Sequence, residues 1–171
     1  MNMFFYSLFL VAVGIFIGIP SAYLLAEKRK ESAFVFLEIV NIYILMGVSI
    51  LVISMNFPVF FELFIIGLLI YMRTLNFFLK ILFGYDVRHK VMFLSLGYTR
   101  REYFLKYLVP RNVRLIVSHI LETFGTLLLA FTIGKSSLSS EVVGTVQLIL
   151  IFMGMGIFIL EKLRVSKRYS H

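Results

Sequence analysis

The sequence predicts an all-α, polytopic membrane protein with five transmembrane helices, the N-terminus outside and the C-terminus inside. A helical cytoplasmic insertion is expected between the third and fourth helices. Three observations predict this class. The 171 residues are 60% hydrophobic and 15% charged, against about half and a quarter in a soluble domain. The apolar residues fall in blocks of the length that crosses a bilayer, about 20 residues. The basic residues gather in alternate connections, as the positive-inside rule requires. One transmembrane domain over residues 1–171 is expected, with its cytoplasmic loop at about 84–112.

Span one is read at about 2–26. Residues 1–19 carry no charge, and Lys28, Arg29 and Lys30 follow the apolar run. A secretory signal has its positive charges first, so this segment is expected to stay as an N-out helix. Gly14 and Gly18, four apart, offer a face for close helix contact. Span two is read at about 32–55, with Glu38 near one end. An uncharged turn around Asn56-Phe57-Pro58 leads to span three, about 59–83, with Glu62 near its start. Span four runs from about 113 to 134 and span five from about 141 to 160, the latter with Gly154 and Gly156 as further packing candidates. In lipid each must be a helix, because an unpaired backbone group there costs several kcal/mol.

The orientation follows from charge. Arg88, Lys90, Arg100, Arg101, Lys106, Arg111 and Arg114 lie between spans three and four. Lys162, Arg164, Lys167 and Arg168 follow span five. With Lys28–Lys30 these make up most of the 17 Lys and Arg, all on one side if the spans alternate. The net charge of +8 is therefore a topology signal and no nucleic-acid partner is expected. The chain has no Cys and three scattered His, which leaves no disulfide framework or Cys-based metal site. Gly134-Lys135-Ser136 imitates the end of a phosphate-binding loop, but Leu129 stands where the first Gly belongs and the motif ends a span instead of opening a helix. No cofactor is expected in this chain. No catalytic constellation is visible, which points away from an enzyme.

Polar groups within spans are costly. Arg73 lies about 21 Å along span three, with Thr74 and Asn76 beside it. Glu122, Thr123 and Thr126 lie near the middle of span four. Arg73, Asn76, Glu122 and Thr126 are expected to face a polar path or one another. The alternatives are snorkelling of Arg73 and a structural ion pair for Glu122.

The long connection SLGYTRREYFLKYLVP stands out in a chain of mean hydropathy +0.96. Residues 86–96 mix apolar and basic side chains at helical spacing, with Asp86 as an N-cap or first-turn acid. Gly97 breaks that helix, Thr99 caps a second one at 100–108, and Pro110 stops it before span four. Such an element docks a cytoplasmic partner or lies on membrane lipid with its basic residues on head groups.

The stretch VMFLSLGYTRREYFLKYLVPRNVRLIVS resembles the signature loop of permease subunits of binding-protein-dependent ABC importers. In that family a Gly and a Pro are commonly thirteen residues apart, as Gly97 and Pro110 are here. GIPSAYLLAEKRK is similar to the end of the first core helix, and YMRTLNFF to the helix leading into the loop. The Glu-Ala-Ala of the signature is replaced by Val91-Met92-Phe93, and the Leu before the Pro by Val109. The resemblance implies a type I importer core in which the helix before Gly97 is a coupling helix. Val91, Met92, Phe93, Leu94, Leu96, Gly97, Tyr98 and Thr99 would then meet a separate ABC ATPase subunit. It further implies a second permease subunit, identical or not, an extracytoplasmic substrate-binding protein, and a place in the cell (plasma or inner) membrane. The pattern also resembles permeases for tungstate- or molybdate-type oxyanions. A membrane scaffold that docks a cytoplasmic partner without transport is the rival expectation.

Overall fold

The computed structural model of the chain describes residues 3–27, 34–83, 87–99, 102–136 and 138–168. Among these it is all-helical, with no strand. In chain order the helices are α1 (Met3–Glu27), α2 (Phe34–Ile39), α3 (Ile42–Ser54), α4 (Val59–Phe83) and α5 (Val87–Ser95). A π-helical segment (Tyr103–Leu108) and a single α turn (Val109–Arg111) follow. The last two helices are α6 (Val113–Gly134) and α7 (Ser140–Arg168). Asp86, Lys28, Arg29, Lys30, Arg100 and Arg101 lie outside the described residues.

Among the described residues four helices are long and apolar enough to cross a membrane: α1, α4, α6 and α7 carry apolar stretches of 22, 24, 22 and 22 residues. At 1.5 Å per residue each exceeds a hydrocarbon core of about 30 Å. The expected second span is not one helix. It breaks at Val40–Asn41, leaving α3 with 13 residues, about 20 Å. The cause is Asn41. Its side-chain oxygen accepts from the backbone N–H of Tyr43 and Ile44, both at 3.1 Å, and so caps α3. Its amide nitrogen donates to the Gly154 carbonyl of α7 at 2.7 Å.

Residue pairings give the helix directions. Gly14 and Gly18 of α1 rest on Ile70 and Thr74 of α4, so these two helices run parallel. Arg73 and Phe77 of α4 meet Glu122 and His119 of α6, which runs the other way. The start of α3 meets Gly154 of α7, and Ser54 at its end accepts from Gln147 at 2.9 Å, so α3 and α7 are antiparallel. The α1 end, the described parts of the connection after α4 (87–99 and 102–112) and the end of α7 therefore share one end of the bundle, the loop end. Residues 55–58, with 135–136 and 138–139, lie at the opposite, turn end. Gly134 ends α6 there, packed against Ile53 of α3.

Two buried clusters hold the bundle. One, around Leu45, Ile50, Ile66, Ile70, Leu127 and Phe131, joins α1, α3, α4 and α6. The other, around Leu75, Phe78, Leu79, Phe104 and Leu108, sits at the loop end. The small residues let backbones approach, as in membrane helix packing generally. A Cβ on Gly14 would lie 2.6 Å from Ile70 Cγ2, and one on Gly18 2.9 Å from Thr74 Cγ2. Gly154 is equally close to Ile44, whereas a Cβ on Gly156 meets nothing within 4 Å. Substitution of Gly14 or Gly18 by Val is expected to destabilise the protein by about 1–3 kcal/mol, while Gly156→Ala stays within about 0.5 kcal/mol. Thermal unfolding in detergent checks this; a Gly156 effect as large as that at Gly18 would refute the contact assignment.

Candidate functional site

Two features at the loop end carry the sequence-derived candidates. The first is the insertion. Gly97 has φ +86°, a left-handed conformation that strains other residues. Around it the Tyr98 N–H donates to the Phe93 carbonyl at 3.2 Å and the Gly97 N–H to the Leu94 carbonyl at 3.1 Å. The rings of Phe93 and Tyr98 meet edge-on at 5.6 Å. Both bonds and the apolar contact define a Schellman cap.

The next segment starts at once with a capping box. The Thr99 hydroxyl accepts from the Glu102 N–H at 3.2 Å, and the Glu102 carboxylate accepts from the Thr99 N–H at 3.1 Å. The helix expected at 100–108 is wound as a π-helix over Tyr103–Leu108. Pro110 does not stop it, contrary to expectation. The Val109 N–H reaches back five residues to the Phe104 carbonyl. That wider turn relieves the clash a proline ring makes with the carbonyl four residues earlier. Pro110 then sits inside the Val109–Arg111 turn, and the chain breaks at Asn112.

Aromatic packing ties α5 to this segment. Phe93 is half-buried, with its ring centroid 4.5 Å from that of Tyr107 and 5.3 Å from that of Tyr103. Arg111 lies over the Tyr107 ring, 5.6 Å from its centroid, and donates to its hydroxyl. Tyr103, Phe104 and Leu108 are buried against Leu75, Phe78 and Leu79 of α4. Of the residues expected to dock a partner, Phe93 thus faces inward and Thr99 is engaged in its cap. Val91, Met92, Leu94, Leu96 and Tyr98 are exposed, Val91 at 59% and Leu96 at 64%. The insertion is an apolar face on a braced mount.

The second feature is a charged cleft of about 390 Å³ where α2 breaks into α3, walled by α4, α6 and α7. Arg73 is 8% exposed. Its Nη2 donates to Glu122 Oε2 at 2.7 Å. Its Nε and Nη1 are buried and meet no partner among the described residues. Asn76 lines the same cleft, with Glu38, Lys80, Ser118, His119 and Glu161. The His119 ring stacks on Phe77 at 4.1 Å. Thr126 is not brought to the cleft: it is buried one turn on, its hydroxyl donating to the Glu122 carbonyl at 2.7 Å. Asn41, Lys80, His119 and Glu161 are site residues the sequence candidates left out. The signals available were an Asn three residues after Glu38 inside an apolar run, and a His three residues before Glu122, hence on its face.

No protein-family model, no curated protein and no solved structure matches this chain.

Two outcomes test these geometries. Glu122→Gln leaves a buried guanidinium without its counter-charge, whereas Arg73→Gln leaves a carboxylate that is half exposed. The former is therefore expected to destabilise more, by about 1–3 kcal/mol, and equal or reversed losses in thermal unfolding would refute that asymmetry. The Glu102 carboxyl is held down at about 2, first by the Thr99 backbone N–H and then by Lys106 and the Thr99 hydroxyl. Its folded pKa is depressed, so its contribution to the cap is whole above the ordinary value of 4.5 and fades as pH falls toward 2. Carboxyl carbon shifts followed by NMR should show that low midpoint, and Lys106→Ala should raise it.

Proposed function

We propose that this chain is the membrane-spanning permease subunit of an importer driven by a separate ATPase. In this reading α2 and α3 together form the second of five passes, since α3 runs against α1 and α4 as a fifth pass must. The loop end faces the cytoplasm, with the N-terminus outside and the C-terminus inside, in the plasma or inner membrane. The clustering of Lys and Arg in the loop-end connections supports that side. The observation that carries the reading is the exposed apolar surface of α5 and its capping turn, Val91, Met92, Leu94 and Leu96, on a mount packed into the membrane helices. A lone amphipathic helix on lipid needs no such bracing. An element pushed by a partner does, because force applied to α5 must reach α4.

ATP-driven closure of the ATPase partners would press on α5, and Phe93, Tyr103 and Leu108 would pass the displacement to α4 and the cleft. A second permease subunit would complete the pathway, and an external binding protein would deliver a small solute, an oxyanion by the family resemblance. One observation favours the rival scaffold reading: Val91-Met92-Phe93 stand where the family's loop has Glu-Ala-Ala, so a partner other than an ABC ATPase would fit this greasier face.

Affinity purification of the tagged chain from its native membranes separates the two. An ATPase bearing a phosphate-binding loop should co-purify, and Val91→Asp with Leu96→Asp should cut its recovery at least about tenfold without changing the unfolding temperature. Recovery of the ATPase unchanged by these substitutions would refute docking through α5. Recovery of a different cytoplasmic partner, with no ATP-dependent uptake in reconstituted vesicles, would favour the scaffold.

A further inference from the structure

The Arg73–Glu122 pair leaves Arg73 under-used. A guanidinium has five N–H donors in a fork that matches two oxygens of a carboxylate or phosphate at once. Here one carboxylate oxygen meets one nitrogen at 2.7 Å, and Nε and Nη1 find no partner among the described residues. The two members also differ in freedom. Arg73 has a side chain 10% exposed and is fixed in the bundle, while that of Glu122 is 49% exposed. Glu122 is the one that can leave.

The space beside them, about 390 Å³, lies within the size range of small-molecule sites. Asn76, Lys80 and Ser118 add donors on its walls, and the Nε2 atom of His119 has no partner among the described residues. Glu38 from α2 and Glu161 from α7 face the same space. With Glu122 in place, an entering anion meets three carboxylates against Arg73 and Lys80. Entry becomes favourable only as Glu122 withdraws from Arg73, which keeps the exchange close to charge-neutral.

We propose that this cleft is an anion site whose resting occupant is the chain's own Glu122, replaced on Arg73 by an incoming carboxylate- or phosphate-type group. The group belongs to a free solute or to a lipid head group. The inference rests on the permease reading only for where a solute goes next; binding needs this chain alone.

The purified full chain in neutral detergent is titrated with sodium phosphate against sodium chloride at constant ionic strength, and thermal unfolding is followed by circular dichroism. Phosphate should stabilise Glu122→Gln with an apparent affinity at least about tenfold tighter than for the unaltered chain. Arg73→Gln and the double variant should respond to phosphate no more than to chloride. An equal phosphate response in all four proteins, or none in Glu122→Gln, overturns the proposal. Should Glu122→Gln fail to fold, Glu122→Asp, which draws the carboxylate back by one methylene, should show a smaller gain in phosphate affinity, and its absence is equally fatal. The same proteins in phosphatidylcholine nanodiscs, with and without phosphatidylglycerol, separate the sources. Stabilisation of Glu122→Gln by phosphatidylglycerol assigns the site to a lipid head group; a phosphate response indifferent to it assigns a free anion. If no ATPase co-purifies with the chain while the phosphate response is intact, the permease reading falls and the anion site stands.

Discussion

A helix interrupted inside an apolar bundle must find partners for the backbone groups it gives up, and here one side chain supplies them. Asn41 accepts from two N–H groups at the start of α3 and donates to the Gly154 carbonyl of α7. Water is absent from a bilayer interior, so such a break survives only where protein groups satisfy it. Gly154 has to be small for α7 to come near enough to be bonded. The charged cleft follows from this arrangement: it opens where the backbone departs from the helix, and its walls are the helices that gather around Asn41.

The loop end applies a second rule, that an element is held by packed aromatic rings and by capped helix ends. The Schellman cap and the capping box stand back to back across Gly97 and Thr99, so α5 and the π segment meet at a fixed angle. Phe93 carries that angle onto Tyr103 and Tyr107, and Leu108 carries it into the cluster with Phe78. The result is an exposed greasy face with no slack beneath it.

Much of this was legible in the amino-acid order. Apolar runs marked α1, α4, α6 and α7, because burying twenty apolar residues in a row has few other solutions. Gly97, and Thr99 with Glu102, announce their caps through backbone chemistry that neighbours cannot override. The break at Asn41 was not legible: one polar residue in an apolar run reads as tolerated, and what makes it a terminus is a carbonyl 113 residues away. Pro110 signalled a stop, yet the wider π turn absorbed the proline and moved the break to Asn112. Arg73 and Glu122 were visible as costly groups, but their pairing needs the antiparallel register of α4 and α6. Thr126, on the same helix as Glu122, turned its hydroxyl to its own backbone, a local option that spacing alone does not reveal.

Gly18 sits against Thr74, the immediate neighbour of Arg73. The seat of α1 therefore sets how deep α4 lies and, with it, the reach of the guanidinium toward α6. Helix spacing and charge separation are one variable in this molecule. A single methyl group added on α1 at Gly18 would be felt as a change in electrostatics.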